Sequence, residues 1–217
     1  MYSGTAKLIV IIDYGMGNTK SIESIIQHLH EDVCISRDKA IINSASHLIL
    51  PGVGSFDRAM KNLQELDLIN SIKHHSDKNK PILGICLGMQ LLAKSSTEGG
   101  LNLGLGYINC TLDKFLKPQE NTIKIPHVGY NSIDIIPQSK LLQGLDQNSD
   151  FYFTHSYKMQ CIDDNIVSSR CTHGETFVAS IEHDNLFGTQ FHPELSQKNG
   201  IKLLSNFINW QIQHRSA

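Results

Sequence analysis

The chain has 217 residues, 40% of them hydrophobic, enough for one α/β domain with a sizeable core. Lysine and arginine (19) nearly balance aspartate and glutamate (21), and with a net charge of −2 and no basic cluster, binding along a phosphate backbone is not expected. Five cysteines, an odd number without C-x-x-C spacing, speak against a disulfide framework and a zinc site.

In chain order, Met1–Lys7 reads as a flexible start. Leu8–Ile12 reads as a central parallel strand; it is too short for a signal core or a membrane span, so the cytoplasm is the expected compartment. A helix follows from about Thr19 to His30. Gly15 and Gly17 between them invite comparison with a dinucleotide fingerprint. Lys20 stands where the third glycine should be, and no suitable acidic residue follows in a strand, so no nucleotide site is expected. Val33–Ile35 and His47–Leu50 are predicted strands, and Phe56–Leu66 and Leu68–His75 predicted helices. His74 and His75 sit beside Lys73, Asp77 and Lys78 and read as a solvated helix end. Ile82–Ile85 is a buried strand and Met89–Lys94 a helix. From about Gly106 to Gln190 the chain is rich in β-branched and aromatic residues with short turns. Gly200–Gln213 reads as a closing amphipathic helix. Strand–helix alternation followed by a strand-rich half predicts a single domain over 1–217, a three-layer α/β sandwich around a mixed, largely parallel sheet.

The chemistry centres on Pro81-Ile-Leu-Gly-Ile-Cys86-Leu-Gly88-Met-Gln90. Cys86 falls on a sharp strand-to-helix turn, the geometry of the G-x-S-x-G elbow with sulfur in place of oxygen. Gly84 and Gly88 lack the Cβ atoms that would crowd that turn. A thiol at a helix N-terminus is shifted toward thiolate, although a lone cysteine in a strand is more often only structural. Its base is expected late, in Leu186-Phe-Gly-Thr-Gln-Phe-His192-Pro-Glu194. In extended chain, residues two apart face the same side, so Glu194 can hold one nitrogen of His192 while the other serves the sulfur.

These two segments together resemble the class I (triad) glutamine amidotransferases. Asp13-Tyr-Gly-Met-Gly-Asn18, Leu50-Pro-Gly-Val-Gly54, Ser95-Ser-Thr-Glu-Gly-Gly100, Pro126-His-Val-Gly-Tyr-Asn131 and Thr154-His-Ser-Tyr157 follow in the order of one branch, the HisH-type glutaminase subunits of imidazole glycerol phosphate synthase. The resemblance covers roughly residues 8 to 212.

It implies a flavodoxin-like glutaminase fold, a Cys86–His192–Glu194 triad, and no metal or organic cofactor. Attack on a carboxamide makes an oxyanion, which needs donors. The resemblance assigns these to the Pro51-Gly52-Val53-Gly54 strand, with Val53 and Gly54 supplying an amide, beside the N–H of Leu87. That amide is often misoriented at rest in the family and turns when the partner subunit binds its ligand. Gln90, Glu98, Ser156 and Tyr157 occupy the family's positions for the α-amino and α-carboxylate groups of glutamine. The implied partner is a HisF-like cyclase, a β/α barrel forming a heterodimer with the glutaminase and receiving its ammonia for histidine biosynthesis. Two positions depart from the family: Tyr130 replaces a usual tryptophan, and Leu195 a usual lysine. Both are placed by the resemblance near the cyclase interface. A related glutaminase pair that amidates amino-sugar precursors for surface polysaccharide is therefore an alternative. A non-catalytic regulatory subunit and a free-standing hydrolase are further ones.

Overall fold

The computed structural model describes residues 7–116 and 123–210. The predicted flexible start, Lys7 apart, and the predicted final helix beyond 210 lie outside the described residues. The first half alternates as the hydrophobic pattern demands: β1 (Leu8–Ile12), α1 (Thr19–His28), β2 (Asp32–Ser36), α2 (Lys39–Ser44), β3 (His47–Leu50), α3 (Phe56–Glu65), α4 (Ile69–Asp77), β4 (Ile82–Ile85) and α5 (Leu87–Leu91). The second half is mostly strand: β5 (Ala93–Ser96), β6 (Asn102–Leu103), β7 (Ile108–Lys114), β8 (His127–Ser132), β9 (Asp134–Ile135), β10 (Asp150–His155), β11 (Tyr157–Cys161), β12 (Val167–His173), β13 (Glu175–His183) and β14 (Leu186–Thr189). α6 (Gln197–Ile208) closes the described fold.

The main sheet has the order β2-β1-β3-β4-β14-β13-β12-β9. Its first five strands are parallel and the rest antiparallel, a mixed and largely parallel sheet. Helices cover both faces, which is why β1 and β3 are apolar at nearly every position. Ile9 and Ile11 pack with Ile22 and Ile26 of α1 and with Leu203 and Phe207 of α6. Val10 and Ile12 pack with Ile42 of α2, Phe56, Ala59 and Leu63 of α3, and Ile72 of α4. The two smaller sheets, β10-β8 and β11-β7-β5-β6, flank this sandwich. Among the described residues no helix is long and apolar enough to cross a membrane.

Three expectations need correction. The helix predicted over Met89–Lys94 runs instead from Leu87 to Leu91, and Ala93–Ser96 turns into a strand paired with β7. His75 is not solvated: it is 1% exposed, its Nε2 lies 3.2 Å from the Pro81 carbonyl, and burial pushes its pKa down to about 3. One disulfide is present, Cys110–Cys161, joining residues directly opposite each other on β7 and β11. Cys34, Cys86 and Cys171 remain thiols.

The topology positions the site. β4 and β14 lie side by side and parallel, with Ile85 opposite Thr189. The residues just past their C-terminal ends, Cys86 and Gln190 to Glu194, therefore meet, where open α/β sheets usually bind ligands.

Candidate active site

Cys86 is 6% exposed and adopts φ 52°, a left-handed conformation that costs a non-glycine residue about 1–3 kcal/mol. The elbow is held by Cys86 N–H donating to the Thr189 carbonyl at 2.7 Å and Gln90 N–H to the Cys86 carbonyl at 3.2 Å. Gly88 is required for it: a Cβ there would sit 1.7 Å from the Leu50 carbonyl oxygen. Close approach of α5 to the end of β3 is thus built from a missing methyl.

His192 and Glu194 are buried beside the elbow. The chain does not stay extended past His192, as the sequence pattern implied. A 3-10 turn over Pro193–Leu195 brings the Glu194 carboxylate back, with Oε1 2.8 Å from His192 Nδ1. The histidine backbone is fixed by its N–H on the Tyr152 carbonyl, and its carbonyl accepts from Ser196 Oγ at 2.6 Å. Burial opposes charge on this imidazole, but Cys86 and Glu194 on either side outweigh it and push its pKa up to about 10. Nε2 is buried without a hydrogen-bond partner among the described residues, which leaves it as the nitrogen able to exchange a proton with Cys86.

Val53, Gly54, Cys86, Leu87, Gln90, Glu98, Ser156 and Tyr157 line one cavity of about 300 Å³. Gly52 packs against its floor, where a Cβ would come within 2.6 Å of Tyr14 Oη and 2.8 Å of Leu87 Cβ. At the expected oxyanion position, Leu87 N–H donates to the Gly52 carbonyl at 3.3 Å. Tyr14 Oη donates to the neighbouring Pro51 carbonyl at 2.5 Å, and burial raises the Tyr14 phenol pKa. Val53, by contrast, is 43% exposed.

The positions expected to contact glutamine are partly committed within the protein. Glu98 Oε2 accepts the Phe56 N–H at 2.9 Å, capping the start of α3. Gln90 Nε2 donates to the Tyr157 carbonyl at 3.3 Å and to Gln190 Oε1 at 3.0 Å, and its own Oε1 takes no hydrogen bond from the described residues. Ser156 accepts the Phe115 N–H through its carbonyl. Two features escaped sequence reading. Gln190, 0% exposed, places Nε2 3.7 Å from Cys86 Sγ. His155 lines the cavity and donates Nδ1–H to the Tyr157 carbonyl at 2.8 Å, while burial pushes its pKa down to about 3. Gln190 lay inside a quoted motif but carried no chemical signal of its own. His155 stood in Thr154-His-Ser-Tyr157 as one of eleven histidines.

A buried thiol, imidazole and carboxylate beside a cavity of this size can support acyl transfer through a thioester. The chain is 46% identical over 202 residues to the imidazole glycerol phosphate synthase subunit HisH 1 of Campylobacter jejuni (strain RM1221), covering 93% of this chain and 99% of that one. It is 45% identical over 199 residues to the HisH subunit of Aquifex aeolicus (strain VF5), covering 91% and 94%. Among solved structures, the fold resembles a glutamine amidotransferase with a TM-score of 0.71 at 16% identity, over 92% of this chain and 96% of that one. It also resembles a chain of PurLQS from Thermotoga maritima, with a TM-score of 0.71 at 15% identity, over 94% and 99%. Residues 10–210 match the sequence model of the glutamine amidotransferase class-I family, and the chain belongs to that family.

Proposed function

We propose that this chain is the glutaminase subunit of an imidazole glycerol phosphate synthase: a single cytoplasmic domain that hydrolyses glutamine and passes ammonia to a HisF-like cyclase in a heterodimer. The observation that carries the reading is the Cys86–His192–Glu194 constellation, buried beside a cavity, in a chain 45–46% identical to HisH subunits along nearly its whole length.

The steps follow from the geometry. Glutamine enters the cavity with its ammonium near Gln90 Oε1 and Glu98 and its carboxylate near Ser156 and Tyr157. Cys86 gives its thiol proton to His192 Nε2, its Sγ bonds to the substrate Cδ, and the carbonyl oxygen takes up the charge. The C–N bond then breaks, the His192 imidazolium gives its proton to the leaving nitrogen, and ammonia departs. Water next attacks the γ-glutamyl thioester while His192 takes its proton. The C–S bond breaks, and glutamate leaves. Glu194 holds the ring orientation and stabilises the imidazolium.

The oxyanion donors are the step that this conformation withholds. Rotation of the Gly52–Val53 peptide would remove the Gly52 carbonyl, free Leu87 N–H and turn Val53 N–H toward the same point. One such donor is worth roughly 10²–10³ in rate. Free ammonia in neutral water becomes ammonium, which is no nucleophile, so a tight coupling of peptide rotation to a loaded partner avoids waste. The test is glutamate release by the purified chain, alone and with a HisF-like cyclase plus its ribotide substrate. Strong stimulation supports the subunit reading. Full activity without partner supports a free-standing hydrolase and overturns it.

A second reading rests on Tyr130 and Leu195. Tyr130 is 54% exposed and Leu195 38%, and the tyrosine hydroxyl donates to the Leu195 carbonyl at 2.7 Å. Both departures from the family pattern thus form one surface feature, which suits a partner other than the histidine-pathway cyclase, such as one amidating an amino-sugar precursor. Failure of that cyclase to bind or stimulate the chain favours this alternative.

A further inference from the structure

We propose that Gln190 is a further catalytic residue, an amide donor to Cys86 Sγ that holds the departing thiolate during thioester hydrolysis. This rests on Cys86 being the nucleophile of the proposed reaction.

The orientation of the two glutamine amides is forced by their neighbours. The Tyr157 carbonyl can only accept, so the Gln90 end facing it at 3.3 Å is nitrogen. That nitrogen is also 3.0 Å from the Gln190 amide, whose facing atom is therefore oxygen. Gln190 is left with its nitrogen toward the sulfur, at 3.7 Å. A chain of donors thus runs from Gln190 to Cys86 and from Gln90 to both Gln190 and Tyr157. The Gln190 backbone is fixed as well, its N–H donating to the Ala179 carbonyl at 2.8 Å next to the Thr189 carbonyl that holds Cys86 N–H. With 0% exposure, no water competes for the amide.

This arrangement has two chemical consequences. An N–H donated to sulfur favours a thiolate over a thiol, because the charged acceptor forms the stronger hydrogen bond. It also presents the Gln190 amide to the nucleophile by its nitrogen edge, with its carbonyl oxygen engaged elsewhere, so a side chain identical to the substrate is not itself attacked. During acylation, charge leaves the sulfur for the carbonyl oxygen, and the donor contributes little. During deacylation, water's oxygen bonds to the acyl carbon, the C–S bond breaks, and the electron pair returns to sulfur, where Gln190 receives it. Gln190 therefore accelerates the second half-reaction more than the first. The other ionisable groups around the sulfur are His192 with Glu194, Tyr14 and His155, and Glu98 lines the same cavity.

The test uses the full chain with its cyclase partner and compares wild type with Gln190→Leu and Gln190→Met. The methionine fills nearly the same length without a charge and has no donor for the sulfur. Two readouts are taken: the pH profile of Cys86 alkylation by iodoacetamide, followed on the Cys86 peptide, and the fraction of chain carrying a γ-glutamyl adduct at steady state by intact mass. Loss of the donor is expected to move the alkylation midpoint up by about one pH unit. It should also lower kcat roughly tenfold with accumulated adduct. If Gln190→Leu does not fold, Gln190→Met decides on the same readouts. Superimposable alkylation profiles and no adduct in a folded variant overturn the proposal. Absence of glutamate release by the wild-type pair, or its persistence in Cys86→Ala, would instead defeat the underlying reaction and is seen separately in the same assay.

Discussion

On one side of the cavity, Cys86, Gln190, His192 and Glu194 are all under 10% exposed, and the backbone N–H groups of the first three are held by the Thr189, Ala179 and Tyr152 carbonyls. On the other, the Pro51–Gly54 loop beyond β3 carries a half-exposed valine and places its Gly52 carbonyl on Leu87 N–H, where the proposed oxyanion would lie. For the proposed reaction, the nucleophilic half is complete in this conformation, and the charge-stabilising half is not. Thiol, base and orienting carboxylate need fixed distances, which a sheet supplies. An oxyanion donor needs only one peptide to turn, which a glycine-rich strand end allows. The design separates having a reactive thiol from using it.

The comparison breaks most completely if the rigid half is removed. Cys86→Ala should lower glutamate release by roughly 10⁴-fold or more in both resting and stimulated enzyme, since no other group at the site can form the thioester. An assay of glutamate with partner present checks this. Residual release above that level would mean that water attacks the carboxamide directly and that the elbow is structural.

Glu194→Gln attacks the same half more gently and carries a pH signature. Loss of the oriented carboxylate should cost roughly 10²–10⁴ in kcat. The Glu194 carboxylate favours the charged imidazole, so its removal lowers the His192 pKa from about 10, and the alkaline limb of kcat/KM moves to lower pH. The sign for stability is the same. A histidine raised above its unfolded value of about 6.5 contributes stability that is complete below that pH and lost as pH climbs through about 10. The melting-temperature advantage of wild type over Glu194→Gln should therefore close between pH 7 and 10. An advantage that widens over that range would reverse the assignment of the proton to His192.

The contrast between the halves was only partly legible in the sequence. The rigid half announces itself, because Gly84, Cys86, Gly88 and the His-Pro-Glu triplet encode an elbow and a base with little dependence on distant residues. The segment Pro51-Gly-Val-Gly54 is also visible, but the directions of its Pro51 and Gly52 carbonyls are set by Tyr14 and Leu87, far apart in the chain. Gln190 gains its meaning only when β14 lies next to β4. Likewise Ala93–Ser96 has helix-forming neighbours and becomes a strand because β7 offers it a partner. α2 went unpredicted because six residues give no amphipathic window; its start is set by Asp38, whose carboxylate caps Ala40 and Ile41. His75 looked solvated from its charged neighbours, yet it lies three positions from Ile72 on the buried face of α4. Cys110 and Cys161 are 51 positions apart and obey no spacing rule, only strand register.

Tyr14→Phe sharpens the comparison at the mobile half. It deletes the hydrogen bond to the Pro51 carbonyl, worth about 1 kcal/mol net, and loosens the closed arrangement of the next peptide. Glutaminase activity without partner should rise roughly fivefold, and the stimulation ratio should fall by the same factor. Measurement of both rates on one preparation checks it, and an unchanged unstimulated rate would show that the Leu87–Gly52 contact alone holds the strand.

The smallest effect belongs to Tyr130→Phe, at the surface rather than in the cavity. The hydroxyl contact to the Leu195 carbonyl is exposed, so its loss should change stability by about 0.5 kcal/mol or less and leave unstimulated glutamate release untouched. The aromatic ring remains, held edge-on against Tyr152 with centroids 5.4 Å apart, and Tyr152 in turn bridges to His192 through its carbonyl. A partner seated on Tyr130 would thus press on a residue one step from His192. Titration calorimetry with the HisF-like cyclase should then show a few-fold loss of affinity, while stimulated kcat at saturating partner stays within twofold. A fall in stimulated kcat without a change in affinity would place Tyr130 in the coupling between the subunits instead of in their docking.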